Sequence, residues 1–477
     1  MTMTFVNAVR NQEARTENGM KARLSTASAL TDLFFKIGAS RGKNIIPDWT
    51  AARVQNPELA GRIALWVRDI RSGAGERKLF RDILAELVTS DTDRAIALMR
   101  KVPELGRWDD VLVPEILANS TTREVAFGMI KEALEAGNGL CAKWMPRKGV
   151  VAHDLRDYLG WAPKRYRKTL VSLTKVVETQ MCANQWDDIN FNHVPSVAGS
   201  RYKKAFSRHT EKYAQWTSAL VSTDPKVKET VKVNAGAVYP YDVLKGLGSY
   251  AWSANYNKAN LQNIEAQWNA LPNFVGDANI LPLVDVSGSM TYPVGPSVSA
   301  MDVAVSLGLY LADKNKGKFK DTFLTFSDKP QLLNLQGNII DKVQQMVKSE
   351  WGMSTNLHAA LDKILSVATK AGVPQEEMPS MLLILSDMQF NSCVRFDDSA
   401  IQMIRRKYDD AGYNMPAIVF WNLNAKDNVP VKHNEQGVAL VSGFSPSIVK
   451  SVLSTDMDQF TPDGIMMKTI MNERYNY

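Results

Sequence analysis

Leu281-Pro282-Leu283-Val284-Asp285-Val286-Ser287-Gly288-Ser289-Met290 is the stretch that decides the fold. An apolar run ends on an acid, and hydroxylated residues follow at alternate positions. Such a run reads as a buried parallel strand, and open α/β sheets hold their ligands beyond strand carboxyl ends. Asp285, Ser287 and Ser289 are therefore expected to aim three oxygens at one point, with Gly288 easing the turn between the serines. Oxygen donors in this pattern suit a hard divalent cation such as Mg²⁺, which keeps some positions for water or a partner. Asp-x-Ser-x-Ser alone is a weak signal, because Ser-rich loops produce it by chance.

Two later stretches strengthen it. Gly352-Met353-Ser354-Thr355-Asn356 stands just before an amphipathic helix of Leu357, Ala360, Leu361, Ile364 and Leu365. Met381-Leu382-Leu383-Ile384-Leu385-Ser386-Asp387 is a second apolar strand ending on an acid. In order and in placement the trio resembles the metal-ion-dependent adhesion site of von Willebrand factor A domains. That resemblance implies Asp285, Ser287 and Ser289 as first-loop ligands, Thr355 from the second loop and Asp387 from the third. The competing reading is a degenerate A domain that keeps the loops and binds no metal.

The chain has 477 residues, room for two or three domains. With 45% hydrophobic and 22% charged residues its balance is that of a globular protein, and no apolar stretch is long enough to span a bilayer. Met1 to Phe5 lack the basic-then-apolar order of a secretory signal. Cys141, Cys182 and Cys393 are scattered and odd in number, which fits neither a disulfide framework nor a CxxC metal site. A reducing, cytoplasmic setting is the expectation. Charge is unevenly shared. Residues 1–276 hold 39 Lys and Arg against 28 Asp and Glu, leaving 18 against 22 in the remainder. A basic front half favours a polyanion partner, although basic excess also serves solubility.

From residue 25 to about 270 the apolar period is helical. Asn56-Pro57-Glu58 supplies a cap, a first-turn proline and an acid at the positive end of a helix dipole. A second helix carries Leu79, Phe80, Ile83, Leu84, Leu87 and Val88 on one face. Thr121 with Glu124 reads as a capping box, and Gly137 as the stop of that helix. Serial helices without intervening strands and without a strict period predict an irregular, HEAT-like α-helical repeat module. From about 277 strands and helices alternate, which predicts a doubly wound, Rossmann-like sheet. Its strands are expected at 280–285, 319–326 (followed by Ser327-Asp328), 381–386, 416–421 and 438–441. The predicted organisation is multidomain, α plus α/β: a helical module over 1–276, an A-like domain over 277–454 and a tail over 455–477.

The richest basic region, 143–232, holds 17 Lys and Arg against 8 Asp and Glu. Within it lie Trp161-Ala162-Pro163-Lys164-Arg165-Tyr166-Arg167-Lys168 and Arg201-Tyr202-Lys203-Lys204-Ala205-Phe206-Ser207-Arg208. Cations interleaved with aromatic rings suit nucleic acid, since cations meet phosphates and rings stack on unpaired bases. Lys164, Arg165, Arg167, Lys168, Arg201, Lys203, Lys204 and Arg208 are the candidate contacts, with Tyr166, Tyr202 and Phe206 as candidate stacking rings. The plain alternative is a solvated helical face whose aromatics turn into the core. The echoes Arg107-Trp108-Asp109-Asp110 and Gln185-Trp186-Asp187-Asp188 read best as buried tryptophans beside helix-starting acids. The five histidines are scattered and show no zinc spacing, and 71–78 lacks the phosphate-loop pattern. No catalytic constellation is visible, so no enzyme is expected.

A basic helical half followed by a metal-site A domain resembles the Ro autoantigen family over nearly the whole chain. The helical part of the resemblance rests on Arg68-Asp69-Ile70-Arg71 with Gly75-Glu76-Arg77-Lys78, on Gly106-Arg107-Trp108-Asp109-Asp110, and on Phe191-Asn192-His193-Val194-Pro195-Ser196. These pieces look more like TROVE relatives from bacteria or phages than like the vertebrate protein. The resemblance implies a TROVE module closed into a ring by the A domain, and noncoding or misfolded RNA as partner. The alternative expectation is a non-enzymatic assembly component whose metal-site A domain captures a protein carboxylate.

Overall fold

The structure is a computed structural model. It describes residues 13–220, 222, 224–234, 238–247, 261–295, 298–326, 329–349, 355–390 and 400–477. Residues 1–12, Ser327-Asp328, Gly352-Met353-Ser354 and Cys393 lie outside the described residues. The strands are β1 (Glu13–Arg15), β2 (Lys21–Arg23), β3 (Ile280–Asp285), β4 (Pro293–Gly295), β5 (Val298–Ser299), β6 (Thr322–Phe326), β7 (Leu332–Asn334), β8 (Met381–Ser386), β9 (Ala417–Asn422) and β10 (Val438–Ser442). An N-terminal helical module and a C-terminal mixed sheet are both present, as the two sequence periods require. No helix among the described residues is long and apolar enough to cross a membrane.

The chain partitions into two compact units, and a single cut at 276 does not separate them. One unit takes Met1–Ala60 and Ala235–Glu473, the other Gly61–Asn234 and Arg474–Tyr477. Helical period marks a helix without telling which core its apolar face joins.

The sheet unit is built on a six-stranded sheet of order β10-β9-β8-β3-β6-β7. All neighbours are parallel except the β6–β7 pair. The strands β3, β8, β9 and β10 are buried at every position, which explains their unbroken apolar runs. Chain order runs from β3 outward to β6 and then back to β8 on the other flank of β3. The switch point of the sheet therefore falls between the carboxyl ends of β3 and β8. Pairing with β6 begins only at Leu283, just past Pro282, which has no N–H to give a ladder. The helix Ala300–Lys314 lies close on β3: a Cβ added at Gly308 would stand 2.4 Å from Val284. The antiparallel edge strand β7 was not expected, since three residues, half-buried or exposed, carry no period.

The front segment completes this unit. Helix Ala29–Ile37 is buried through Leu30, Leu33, Phe34, Phe35 and Ile37. Ser442 Oγ donates to Phe34 O (2.7 Å) and Asn422 Nδ2 to Phe35 O (3.1 Å), tying the helix to the ends of β10 and β9. A Cβ at Gly38 would stand 2.8 Å from the Ser442 backbone, so only glycine passes there. Helix Leu261–Asn269 and the junction expected at 270–277 also belong here: Trp268 Nε1 donates to Asp313 (2.9 Å) and Tyr310 OH to Pro272 O (2.5 Å). The expected tail is a further part of the unit. Helix Pro462–Ile470 packs on β10, and only the last four residues count with the helical unit.

In the helical unit, helix Arg77–Ser90 buries all six apolar residues named from its period. The helix Ser120–Glu135 is capped by Asn119, whose side chain accepts from Thr121 N and Thr122 N. Thr121 therefore lies inside the first turn and caps nothing. Its stop is as expected, with Gly137 at φ +77°, a conformation few other residues adopt.

Candidate metal centre and nucleic-acid interface

At the switch point, the parallel register sets Val284 beside Leu385, which brings the next residues, Asp285 and Ser386, together. Asp285 is fully buried; its Oδ1 accepts from Ser287 N (2.9 Å) and its Oδ2 from Ser386 Oγ (2.5 Å). The Ser287 and Ser289 hydroxyls stand 3.0 Å apart. Thr355 is fully buried directly before Asn356, which caps helix Leu357–Ala371 by accepting from Ala359 N (2.9 Å). Thr355 Oγ1 donates to Gln389 O (2.8 Å), joining the second loop to the third. Asp387 is fully buried; its Oδ1 accepts a long bond from Gln389 N (3.3 Å), and its Oδ2 has no hydrogen-bond partner among the described residues. Met388, next in the chain, sits at φ +65°, a strained conformation at the turn that carries the third loop away.

Two buried carboxylates at one strand boundary are costly without a counter-charge. Burial first, and then the Asp387 charge, push Asp285 up to about 7. Burial also raises Asp387, against the pull of the Gln389 amide, the Ser289 hydroxyl and Lys426. Among the described residues no three His, Cys, Asp or Glu gather as a metal cluster, so a cation held here would lean on hydroxyls. An orphaned buried carboxylate oxygen, a second acid and three hydroxyls form a donor set that fits a hard divalent cation. Sequence reasoning missed Ser386, Gln389 and the front-segment residue Asn18, whose Nδ2 donates to Gln389 O (2.7 Å) and, at 3.4 Å, approaches Thr355 Oγ1. Ser386 stood in the quoted strand, but nothing local joins residue 18 to residue 389.

The eight basic candidates lie on two helices of the helical unit. Lys164, Arg165, Arg167 and Lys168 are all exposed on Pro163–Leu173. On Ser196–His209, Arg201, Lys204 and Arg208 are exposed and Lys203 is half-buried. None of the eight forms an ion pair among the described residues. Arg165 stacks over the Trp161 ring at 4.6 Å. The rings behave otherwise. Tyr166 is buried and donates to Pro146 O (2.9 Å), and Phe206 is fully buried in a cluster with Ile189, Phe191 and Tyr213. Tyr202 is half-buried, its hydroxyl 3.1 Å from Glu178. The helical period that spreads the cations over one arc turns the rings toward the opposite, packed arc, so Tyr166 and Phe206 are not available to stack on bases.

The Trp-Asp-Asp echoes each open a 3₁₀ turn, Trp108–Leu112 and Trp186–Asp188. Trp108 is buried as expected, whereas Trp186 is half-buried and stacks on His209 at 4.4 Å. Asp110 gathers residues distant in sequence: Arg68 Nε (2.6 Å) and Arg81 Nε (2.7 Å) both donate to it. Arg107 pairs with Asp109 and lies 3.7 Å over the Trp144 ring. Burial and the charges of Arg107, Arg68 and Arg81 lower the neighbouring Arg77. Three arginines thus meet two aspartates, with Arg77 near enough to feel their charges, a gathering that no single run of sequence displays.

A model of a domain of unknown function, DUF7788, matches residues 279–474, and a model of another, DUF2828, matches 146–278. The uncharacterised protein L728 of Acanthamoeba polyphaga mimivirus is 29% identical over 514 residues, covering 95% of this chain and 86% of the viral protein. The crystal structure of the RO (RSR) protein of Deinococcus radiodurans aligns with a TM-score of 0.49 at 13% identity, over 94% of this chain and all of that one.

Proposed function

We propose that the helical unit grips single-stranded RNA, noncoding or misfolded, and that the protein is a binding protein without a catalytic step. The observation that carries this reading is the set of eight cations on Pro163–Leu173 and Ser196–His209, free of ion pairs among the described residues and all but one exposed. Each phosphate that one of these cations neutralises releases counterions condensed on the RNA, and that release drives binding. The residue-level resemblance to the Ro family points the same way. With Tyr166 and Phe206 buried, contacts are mainly to backbone phosphate, so affinity tolerates sequence. Charge reversal of Arg167, Lys168, Lys203 and Lys204 to Glu should weaken binding to unrelated RNAs alike. It should flatten the slope of log affinity against log salt by about 3, at about 0.7 per single-strand phosphate contact. Equal affinity of native and reversed proteins at two salt concentrations removes the RNA reading.

A second reading concerns the sheet unit, and the orphaned Asp387 Oδ2 favours it. Asp285, Ser287, Ser289, Thr355 and Asp387 hold Mg²⁺ or a similar divalent cation, which offers a remaining position to a carboxylate. Asp285→Ala should abolish Mg²⁺ binding measured by calorimetry while leaving the circular dichroism spectrum unchanged. Unaltered Mg²⁺ affinity in that variant overturns the assignment.

A further inference from the structure

The helix that carries Arg201, Lys204 and Arg208 ends on a ring stack. His209, its last residue, lies flat on Trp186, with ring centroids 4.4 Å apart and planes 11° from parallel. The two rings differ in exposure. Trp186 is half-buried against the cluster of Ile189, Phe191, Phe206 and Tyr213, and its Nε1 donates to Asn184 Oδ1 (2.8 Å). His209 is exposed, and neither of its ring nitrogens has a hydrogen-bond partner among the described residues. One face of the imidazole is thus covered by the indole, and the exposure of the ring belongs to its other face and its edge. The backbone beneath both rings is fastened. Thr210 Oγ1 donates to Asp187 Oδ1 (2.7 Å), Lys212 Nζ to Asp187 O (2.5 Å) and Gln180 Nε2 to Asp188 O (3.0 Å).

Shielding Trp186 from water accounts for one face of the imidazole only. The other is a flat π-surface at the protein's exterior, steadied from behind by an indole whose own position the packed cluster sets. A nucleobase binds such a surface through its plane, and any base will do, because every base has a π-face. The buried rings Tyr166 and Phe206 offer nothing of the kind. Cations stand beside the stack. Arg201, Lys204 and Arg208 follow one another at spacings of three and four, so they share one arc of the helix, and the last of them is the chain neighbour of His209.

We propose that the outer face of His209, backed by Trp186, seats one unpaired nucleobase, with Arg208 meeting a phosphate that flanks it. This rests on the RNA reading above and adds to it a contact that is not electrostatic. The cations meet phosphates of any strand, whereas the stack takes only a base that is free to leave its neighbours. The ligand class is therefore single-stranded RNA with at least one unstacked base of any identity. In a duplex the bases are already stacked on one another, and only the phosphate contacts remain.

The test measures binding of the full-length protein to a single-stranded oligouridylate and to an oligomer of equal length in which abasic spacers replace the nucleosides and the phosphates are kept. The native protein should prefer the oligouridylate by about 5-fold or more, the low end of a base–aromatic stack. His209→Ala should lose that preference. Its slope of log affinity against log salt should stay native, since no phosphate contact is removed, and the unchanged slope also shows the cations still in place. His209→Phe, which keeps a ring and can carry no charge, should restore the preference. Absence of a preference in the native protein, or an equal preference in native protein and His209→Ala, overturns the stacking proposal and leaves the RNA reading standing. A loss that phenylalanine does not restore, or a flatter salt slope in His209→Ala, overturns it likewise, because His209 then acts by charge or hydrogen bonding. Failure of the native protein to bind either oligomer removes the RNA reading and the proposal with it.

Discussion

At the scale of single residues, what matters is how a side chain's charge is met. Asp285 and Asp387 announce themselves in sequence because each ends an apolar run, where an acid has no packing purpose. Ser386, equally close to Asp285, was invisible because a serine before an acid looks like any strand end. His358 shows the opposite case, a titratable group with a purely structural setting. Its Nε2 lies 2.7 Å from Lys407 Nζ and its Nδ1 3.1 Å from Asp362, so a neutral ring with the proton on Nδ1 satisfies both neighbours. Burial, and then the Lys407 charge, lower its pKa from 6.5 despite Asp362. A lowered histidine pKa means the unfolded chain binds more protons, so the stability it contributes is present above 6.5 and is lost as pH falls through the folded value. His358→Gln should therefore flatten the decline of stability below pH 6.5. Urea midpoints of both proteins at pH 5.5, 6.5 and 7.5 check it, and parallel curves refute it.

At the scale of elements, one helix illustrates how a single pattern serves two ends. Pro163–Leu173 opens on a first-turn proline, buries Tyr166 and Leu170, and exposes Lys164, Arg165, Arg167 and Lys168. The period was legible, and so were the cations. Which arc the tyrosine would occupy was open, because its hydroxyl suits either water or a buried acceptor, here Pro146 O. Tyr166→Ala should cost about 3–5 kcal/mol of stability, as other large-to-small core substitutions of aromatics do. Arg167→Ala should change stability by less than about 0.5 kcal/mol while weakening RNA binding. Chemical denaturation beside a filter-binding assay separates the two. Equal destabilisation by both would mean that the arginine packs as well as charges.

At the scale of the whole molecule, the sheet unit takes elements from both ends of the chain. Residues 13–60 contribute helix Ala29–Ile37 and the antiparallel pair β1–β2, and Phe34 and Phe35 are fully buried there. A fragment beginning at 277 should therefore lack a fixed tertiary structure, because loss of either ring alone is worth about 3–5 kcal/mol. Addition of a separate 13–60 peptide should restore near-ultraviolet circular dichroism and resistance to protease. A fragment that is equally stable without the peptide would show the front segment to be dispensable. The sequence by itself determined the helical half, the alternating strands and helices behind it, the five strand positions that form the parallel sheet, and the oxygen-bearing loops at its switch point. Those features are local: periods of 3.6 and 2 and strand-end acids are written in consecutive residues. Only the tertiary structure decided where the units divide, which rings face inward, that Ser386, Gln389 and Asn18 join the candidate cation site, and that three arginines share two aspartates. Each of these depends on residues tens to hundreds of positions apart meeting through packing, and an apolar face records that it is buried without recording against what.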